Sequence, residues 1–124
     1  LTQIIGQAML KSGGGKIVNI ADWSALRPYK DYLPYSVAKA GVVAMTQIFA
    51  KTLAPKVQVN TVSPGAVLLP KNFSSKIKKS VIDKTPLKRL GNPLDIAAAV
   101  LFFIEGTDYA TGSNLVVDGG QLIR

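Results

Sequence analysis

Residues 16–65 read KIVNIADWSALRPYKDYLPYSVAKAGVVAMTQIFAKTLAPKVQVNTVSPG, and this stretch decides the fold. Lys16 to Ala21 is a short β-branched run of the kind that fills a sheet covered on both faces. A polar and aromatic connection follows from Asp22 to Pro34. From Tyr35 to Leu53, residues Val37, Ala38, Gly41, Val42, Ala44, Met45, Ile48, Phe49 and Leu53 form an apolar stripe of helical period that stops before Pro55. Val57 to Val62 is a second strand-like run, and Ser63-Pro64-Gly65 closes it with a loop signal. Strand, helix and strand in that order predict a right-handed crossover in a parallel α/β sheet.

The flanking sequence extends the same pattern. Thr2 to Lys11 places Ile4, Ile5, Ala8 and Met9 on one helical face and stops at Ser12-Gly13-Gly14-Gly15, so it reads as the tail of a longer helix. Residues 68–90 are polar and Lys-rich, with a short helix expected over Ser74 to Lys84 and apolar positions at Ile77, Val81 and Ile82. Asn92 is a suitable N-cap for a helix opened by Pro93 and running through Ile104. Asn114 to Val117 is a third strand, closed by Asp118-Gly119-Gly120. The Gly13–Gly15 run precedes a strand, so it is not a phosphate-cradling turn, which would follow a strand and open a helix.

Composition excludes several chemistries. The 124 residues fit one domain at most, and 48% apolar content is enough for a packed core. With neither Cys nor His, the chain has no disulfide, no thiolate nucleophile, no Cys/His metal site and no histidine relay. Proton transfer therefore falls to Tyr, Lys, Asp or Glu. No apolar run approaches the roughly 20 residues of a membrane span, and Leu1 to Leu10 lack the features of a secretory signal. Together with the absent cysteines, this sets a cytoplasmic location as the expectation. The formal charge is +8, but it lacks interleaved aromatics and any nucleic-acid motif, so no nucleic-acid partner is expected.

The pair Tyr35 and Lys39, four apart at a helix start, carries the most chemical information. Side chains at this spacing share a face, so the ammonium can approach the phenol and lower its pKa from about 10 toward neutrality. An isolated YxxxK match is weak. Here it follows Lys16-Ile17-Val18-Asn19-Ile20 and Asp22 and precedes Ala40-Gly41, Val59-Asn60-Thr61-Val62-Ser63-Pro64-Gly65 and Gly112-Ser113-Asn114-Leu115-Val116-Val117-Asp118-Gly119-Gly120. In that order these segments resemble the short-chain dehydrogenase/reductase family over essentially the whole chain.

The resemblance implies the C-terminal half of a Rossmann-type, doubly wound parallel sheet over residues 1–124, with residues 68–90 as its substrate lid. It makes Tyr35 the catalytic acid/base and Lys39 the residue that tunes it and holds the nicotinamide ribose. Pro64, Gly65 and the Val67 backbone would lie beside the nicotinamide. The segment that selects between NAD and NADP is not in these residues. A homotetramer or homodimer is implied, with the first helix and the Tyr35 helix at one interface. The sequence departs from the common pattern at Leu69, where many members have Thr, and at Asp22, where most have the catalytic Ser; no residue matches the family's further catalytic Asn.

Asp22 bears on the substrate. An ionised carboxylate would repel a carbonyl oxygen that becomes alkoxide-like during reduction, whereas it suits an acceptor with N–H donors or a C=N bond gaining positive character. The pteridine reductase branch is similar in having Asp here and in its turn leading to Thr85-Pro86-Leu87-Lys88-Arg89-Leu90-Gly91. This makes NADP(H) favoured over NAD(H), with Asp22, Trp23 and Leu68 contacting substrate. A 3-oxoacyl thioester of an acidic carrier protein is the alternative substrate. Asp22 could equally cap the strand end, and Trp23, Tyr29 and Tyr32 could stack on a flat ring or merely pack. From Lys71 to Arg89 there are seven basic residues and one acid, Asp83, which suit either a solvated helix face or attraction of an acidic substrate tail.

Overall fold

Alternate residues of one strand bind two different layers, and that strand organises the molecule. In the computed structural model, which describes residues 1–124, β2 (Val57–Pro64) lies between β1 (Gly15–Ile20) and β3 (Asn114–Val117), and all three are parallel. Val57 and Val59 pack with Ala50 and Leu53, joined by Met9, Leu10, Ile17 and Phe49. Val62 instead packs with Ala99 and Phe103, joined by Val18, Ile96 and Leu115. One sheet face is thus covered by α1 (Thr2–Lys11) and α2 (Leu33–Thr52), the other by α4 (Pro93–Leu101). This is the parallel α/β sheet that the sequence pattern predicts, in the doubly wound arrangement that the family resemblance implies.

A chain of side-chain hydrogen bonds runs through the first face. Thr2 Oγ1 donates to Asn19 Oδ1 at 3.1 Å, Asn19 Nδ2 donates to Thr46 Oγ1 at 2.9 Å, and Thr61 Oγ1 donates to the same oxygen at 2.8 Å. It ties α1, β1, α2 and β2 in one buried network, where an unpaired member would cost about 1–3 kcal/mol.

This network and a glycine rotate α1 away from its expected face. Thr2 and Gly6 are its buried residues, while Ile4 and Ile5 are exposed; of the anticipated stripe only Met9 joins the core. Gly6 leaves room for the Leu53 side chain, which a Cβ would strike. The stripe of α2 divides similarly. Thr46 and Ala50 face the sheet, whereas Val37 and Ile48 face outward.

Element ends follow local chemistry. α2 begins at Leu33, two residues before the expected start, because Pro34 suits the first turn. Gly13 and Gly14 adopt positive φ where α1 ends, and Gly14 N donates to Met9 O. α3 (Ser75–Lys84) is capped by Ser74 Oγ, which accepts from Ile77 N. Asn92 and Asp95 form a reciprocal capping box on α4. α4 ends at Leu101 rather than Ile104 and opens into a wide π-type turn, Phe102–Gly106. Lys16 Nζ collects the carbonyls of Ile104 and Thr107, each at 2.9 Å, and pairs with Asp108 at 2.6 Å.

The sheet ends at β1 and β3, whose outer edges have no strand partner. Only 19 of 124 residues are buried, so the apolar interior consists of two small clusters instead of one large core. No helix is long and apolar enough to cross a membrane.

Candidate active site

The carboxyl ends of the strands converge on a cleft of about 640 Å³. Ligands of open parallel sheets bind at this end, and the volume matches small-molecule sites. After β1 the chain turns at Asp22 into a short 3-10 turn, Trp23–Ala25. Asp22 Oδ1 accepts from Ser24 N at 2.8 Å, fixing the carboxylate at the strand end. Its other oxygen, Oδ2, accepts from the Tyr35 hydroxyl at 3.1 Å. One oxygen of Asp22 thus caps the turn, as local hydrogen bonding allows, and the other faces the phenol at the cleft.

Tyr35 arrives through the first turn of α2, and Lys39 one turn later. Lys39 Nζ donates to Ile20 O at 3.2 Å and lies 5.7 Å from the Tyr35 ring centroid. The spacing thus brings Tyr35, Lys39 and Asp22 together. The electrostatic outcome differs from the expected one. Burial, then the Asp22 charge and its hydrogen bond, push the Tyr35 phenol up to about 12. Burial and a carboxylate accepting the phenolic proton both favour the neutral form, while Lys39 is turned to a backbone carbonyl.

Aromatic rings form one wall. Trp23 and Tyr29 meet edge to face at 5.3 Å, and Tyr29 and Tyr32 at 5.9 Å. Ser36 Oγ, on a buried residue, accepts from Tyr29 N and holds this loop to α2. Trp23, Tyr29, Tyr32 and Tyr35 all line the cleft, so packing together and facing a ligand are compatible here. Burial foremost, and then Asp22, raise the Tyr29 phenol pKa as well.

The opposite wall comes from the lid. Leu69, Phe73, Ile77 and Val81 face the cleft, so the apolar side of α3 serves this space instead of a core. Leu68 is 79% exposed and not among the residues lining the cleft, whereas Leu69 is one of them.

Pro64 ends β2 beside Val117. Gly65 N donates to Val117 O, and a Cβ on Gly65 would lie 2.6 Å from Asp118 Cα, so the loop needs glycine. Val67 is half-buried and outside the cleft lining, and neither its amide nor its carbonyl is engaged by another protein group. This leaves an adjacent donor and acceptor, the pair that a carboxamide requires, and Lys39 keeps two further N–H donors for ribose hydroxyls. These residues fit the nicotinamide end of a dinucleotide.

Two cleft residues, Gln121 and Arg124, carried no sequence signal, whereas Lys84 is one of the seven basic residues of the lid. Gln121 Nε2 donates to Thr85 Oγ1 at 2.8 Å and its Oε1 accepts from Ala66 N at 3.2 Å, joining the lid to the loop after β2. Lys84 and Arg124 supply positive charge. Nothing in local spacing connects position 121 or 124 with position 22.

A doubly wound sheet with a tyrosine, lysine and carboxylate gathered at its carboxyl end defines the class: an α/β fold of the nicotinamide-binding kind. A protein-family model described as enoyl-(acyl carrier protein) reductase matches residues 1–121. The chain belongs to the short-chain dehydrogenase/reductase family. It is 35% identical to an NAD-dependent glycerol dehydrogenase of Listeria innocua, covering 100% of this chain and 51% of that protein. It is 32% identical to the 3-oxoacyl-[acyl-carrier-protein] reductase FabG of Thermotoga maritima, covering 99% and 52%. A short-chain dehydrogenase structure from Leptospira borgpetersenii with bound NAD+ superposes with a TM-score of 0.88 at 32% identity, covering 98% and 50%. The chain spans about half the length of the curated relatives it matches.

Proposed function

We propose that these residues form the substrate side of an NADPH-dependent reductase acting on a pteridine-like C=N bond. The observation that carries this reading is the 3.1 Å hydrogen bond from the Tyr35 hydroxyl to Asp22 Oδ2 at the aromatic wall of the cleft. The nicotinamide, when bound, supplies hydride. Tyr35 is protonated at neutral pH, so it enters the reaction as a proton donor and not as a phenolate base. Asp22 accepts ring N–H groups and stabilises the positive character that develops as that nitrogen is protonated. Trp23 and Tyr29 offer faces and edges to a flat heterocycle. Lys39, Pro64, Gly65 and Val67 position the nicotinamide and its ribose. The preference for NADP(H) follows from the pteridine reading.

A second reading, reduction of a 3-oxoacyl thioester, is favoured by the similarity to a 3-oxoacyl-[acyl-carrier-protein] reductase. Here Tyr35 would protonate the carbonyl oxygen and Asp22 would oppose the developing negative charge. The outward apolar residues Ile4, Ile5, Val37 and Ile48 suit a second copy of the chain in a dimer or tetramer. The test of function is NADPH oxidation by the protein expressed from its complete gene. Turnover with 7,8-dihydrobiopterin and none with acetoacetyl thioester supports the first reading; the reverse supports the second.

A further inference from the structure

Ala66 and Thr85 flank the lid, and one side chain distant in sequence bonds to both. Gln121 Oε1 accepts from Ala66 N at 3.2 Å, and its Nε2 donates to Thr85 Oγ1 at 2.8 Å. The orientation of the amide is forced. A backbone N–H can only donate, and Thr85 Oγ1 gives its own proton to Val81 O at 2.8 Å, so the amide oxygen faces Ala66 and the nitrogen faces Thr85. Gln121 is 6% exposed and Thr85 1%, so the bond is made away from water. Asp118 fixes the backbone on each side of Gln121, Oδ1 accepting from Gly120 N at 2.8 Å and Oδ2 from Leu122 N at 2.7 Å. Little else holds the lid. No residue of α3 is buried. Apart from one exposed bond, from Arg124 Nη1 to Lys84 O at 3.3 Å, residues 67–84 hydrogen-bond only to one another, to Thr85 and to Lys88.

We infer that Gln121 is a positioning residue that clasps the two ends of the lid and so sets the apolar wall of the cleft against the aromatic one. It acts through Thr85: the hydroxyl that receives its N–H also bonds the carbonyl of Val81, whose side chain lines the cleft. At the other end it holds Ala66, a cleft residue next to Gly65. With α3 unburied, a bond shielded from water is a large share of what keeps this segment in place. The inference rests on the reading of this cleft as the substrate site, and it holds for a pterin and for a thioester alike.

Limited proteolysis reads this without turnover, in protein expressed from the complete gene. Trypsin cuts after lysine; Lys71, Lys76, Lys78 and Lys79 are exposed along the lid, and Lys51 and Lys56 are exposed outside it. Gln121→Met removes the amide from an unbranched side chain, and Thr85→Val removes the hydroxyl at constant shape. Each should speed cleavage at the lid lysines about threefold and leave Lys51 and Lys56 uncut over the same time, because one hydrogen bond shifts a local opening equilibrium by about this much. The two together should stay below about fivefold, since they break a shared bond. Thr85→Ser, which keeps the hydroxyl, should be cut at close to the wild-type rate. A lid closed for less of the time should also raise KM in Gln121→Met about twofold at unchanged kcat, for whichever of the two substrates is turned over. Unchanged lid cleavage, cleavage at Lys51 and Lys56 that rises in step with it, Thr85→Ser as susceptible as Thr85→Val, or a lowered kcat at unchanged KM overturns the clasp. If neither substrate is turned over, the proposed function falls, and the cleavage pattern alone decides the clasp.

Discussion

The Tyr35 hydroxyl donates to Asp22 Oδ2 at 3.1 Å while Ser24 N holds Asp22 Oδ1 at 2.8 Å. The carboxylate is thus oriented by backbone before it meets the phenol. A group held in this way needs little reorganisation when charge develops beside it, which is the condition for effective electrostatic stabilisation.

Titration of Tyr35 follows from this contact. Burial and Asp22 push the phenol up to about 12, so Asp22→Asn should move it down toward the ordinary value of about 10. Phenolate absorbance, taken as a difference against Tyr35→Phe in each background, measures the shift. The sign for stability follows: the unfolded phenol loses its proton near pH 10, the folded one near 12. The Tyr35 contribution is therefore complete below about pH 10 and lost as pH rises to about 12. Asp22→Asn narrows that window.

Asn60 anchors the loop before β3. It is 2% exposed; Nδ2 donates to Ala110 O at 2.8 Å and Oδ1 accepts from Ser113 N at 3.0 Å. Asn60→Leu strands both backbone groups and should destabilise the protein by about 2–4 kcal/mol in urea unfolding. Asn60→Asp keeps the acceptor for Ser113 N but sets a buried carboxylate oxygen against Ala110 O, so it too should destabilise, and less so at low pH where the protonated carboxyl can donate to Ala110 O.

Lys88 has φ +54, in the left-handed region, within the turn between α3 and α4. Its Nζ bond to Asp83 O is exposed, so backbone conformation dominates. Lys88→Gly should stabilise the protein by several tenths to about 1 kcal/mol, measured as a raised urea midpoint at unchanged slope.

Gly65 tests the close approach of the two loops at the nicotinamide end. A Cβ there meets the backbone of Asp118 at 2.6 Å, and backbone cannot yield as a side-chain tip does. Gly65→Ala should destabilise the protein by about 1–3 kcal/mol. If the loop matters for the cofactor, NADPH affinity should fall as well.

The strands and helices were legible because β-branched runs and helical periods are local, while the order β1-β2-β3 is seen only in the fold. Asp22, Tyr35 and Lys39 were legible because they sit on adjoining elements joined by one connection. The orientation of α1 was not. Its apolar stripe predicts burial of Ile4 and Ile5, but Thr2 is drawn inward by Asn19 and Gly6 by Leu53, both distant in sequence. Tyr35's raised pKa was missed for a related reason: spacing places Lys39 near the phenol, but only the fold shows that Ile20 O receives its proton and Asp22 receives Tyr35's. Gln121 and Arg124 enter the site through packing against the lid and the loop after β2, segments distant in sequence, which no local motif records.

The central claim is that Asp22 selects a ring C=N bond over a ketone. The most direct measurement is kcat/KM for 7,8-dihydrobiopterin and for acetoacetyl thioester in wild type and Asp22→Ser, using protein from the complete gene. The account predicts that wild type reduces the pterin, that Asp22→Ser lowers this by about tenfold or more, and that the serine variant gains ketone reduction. Wild-type turnover of the thioester without the pterin, raised further by Asp22→Ser, would contradict it.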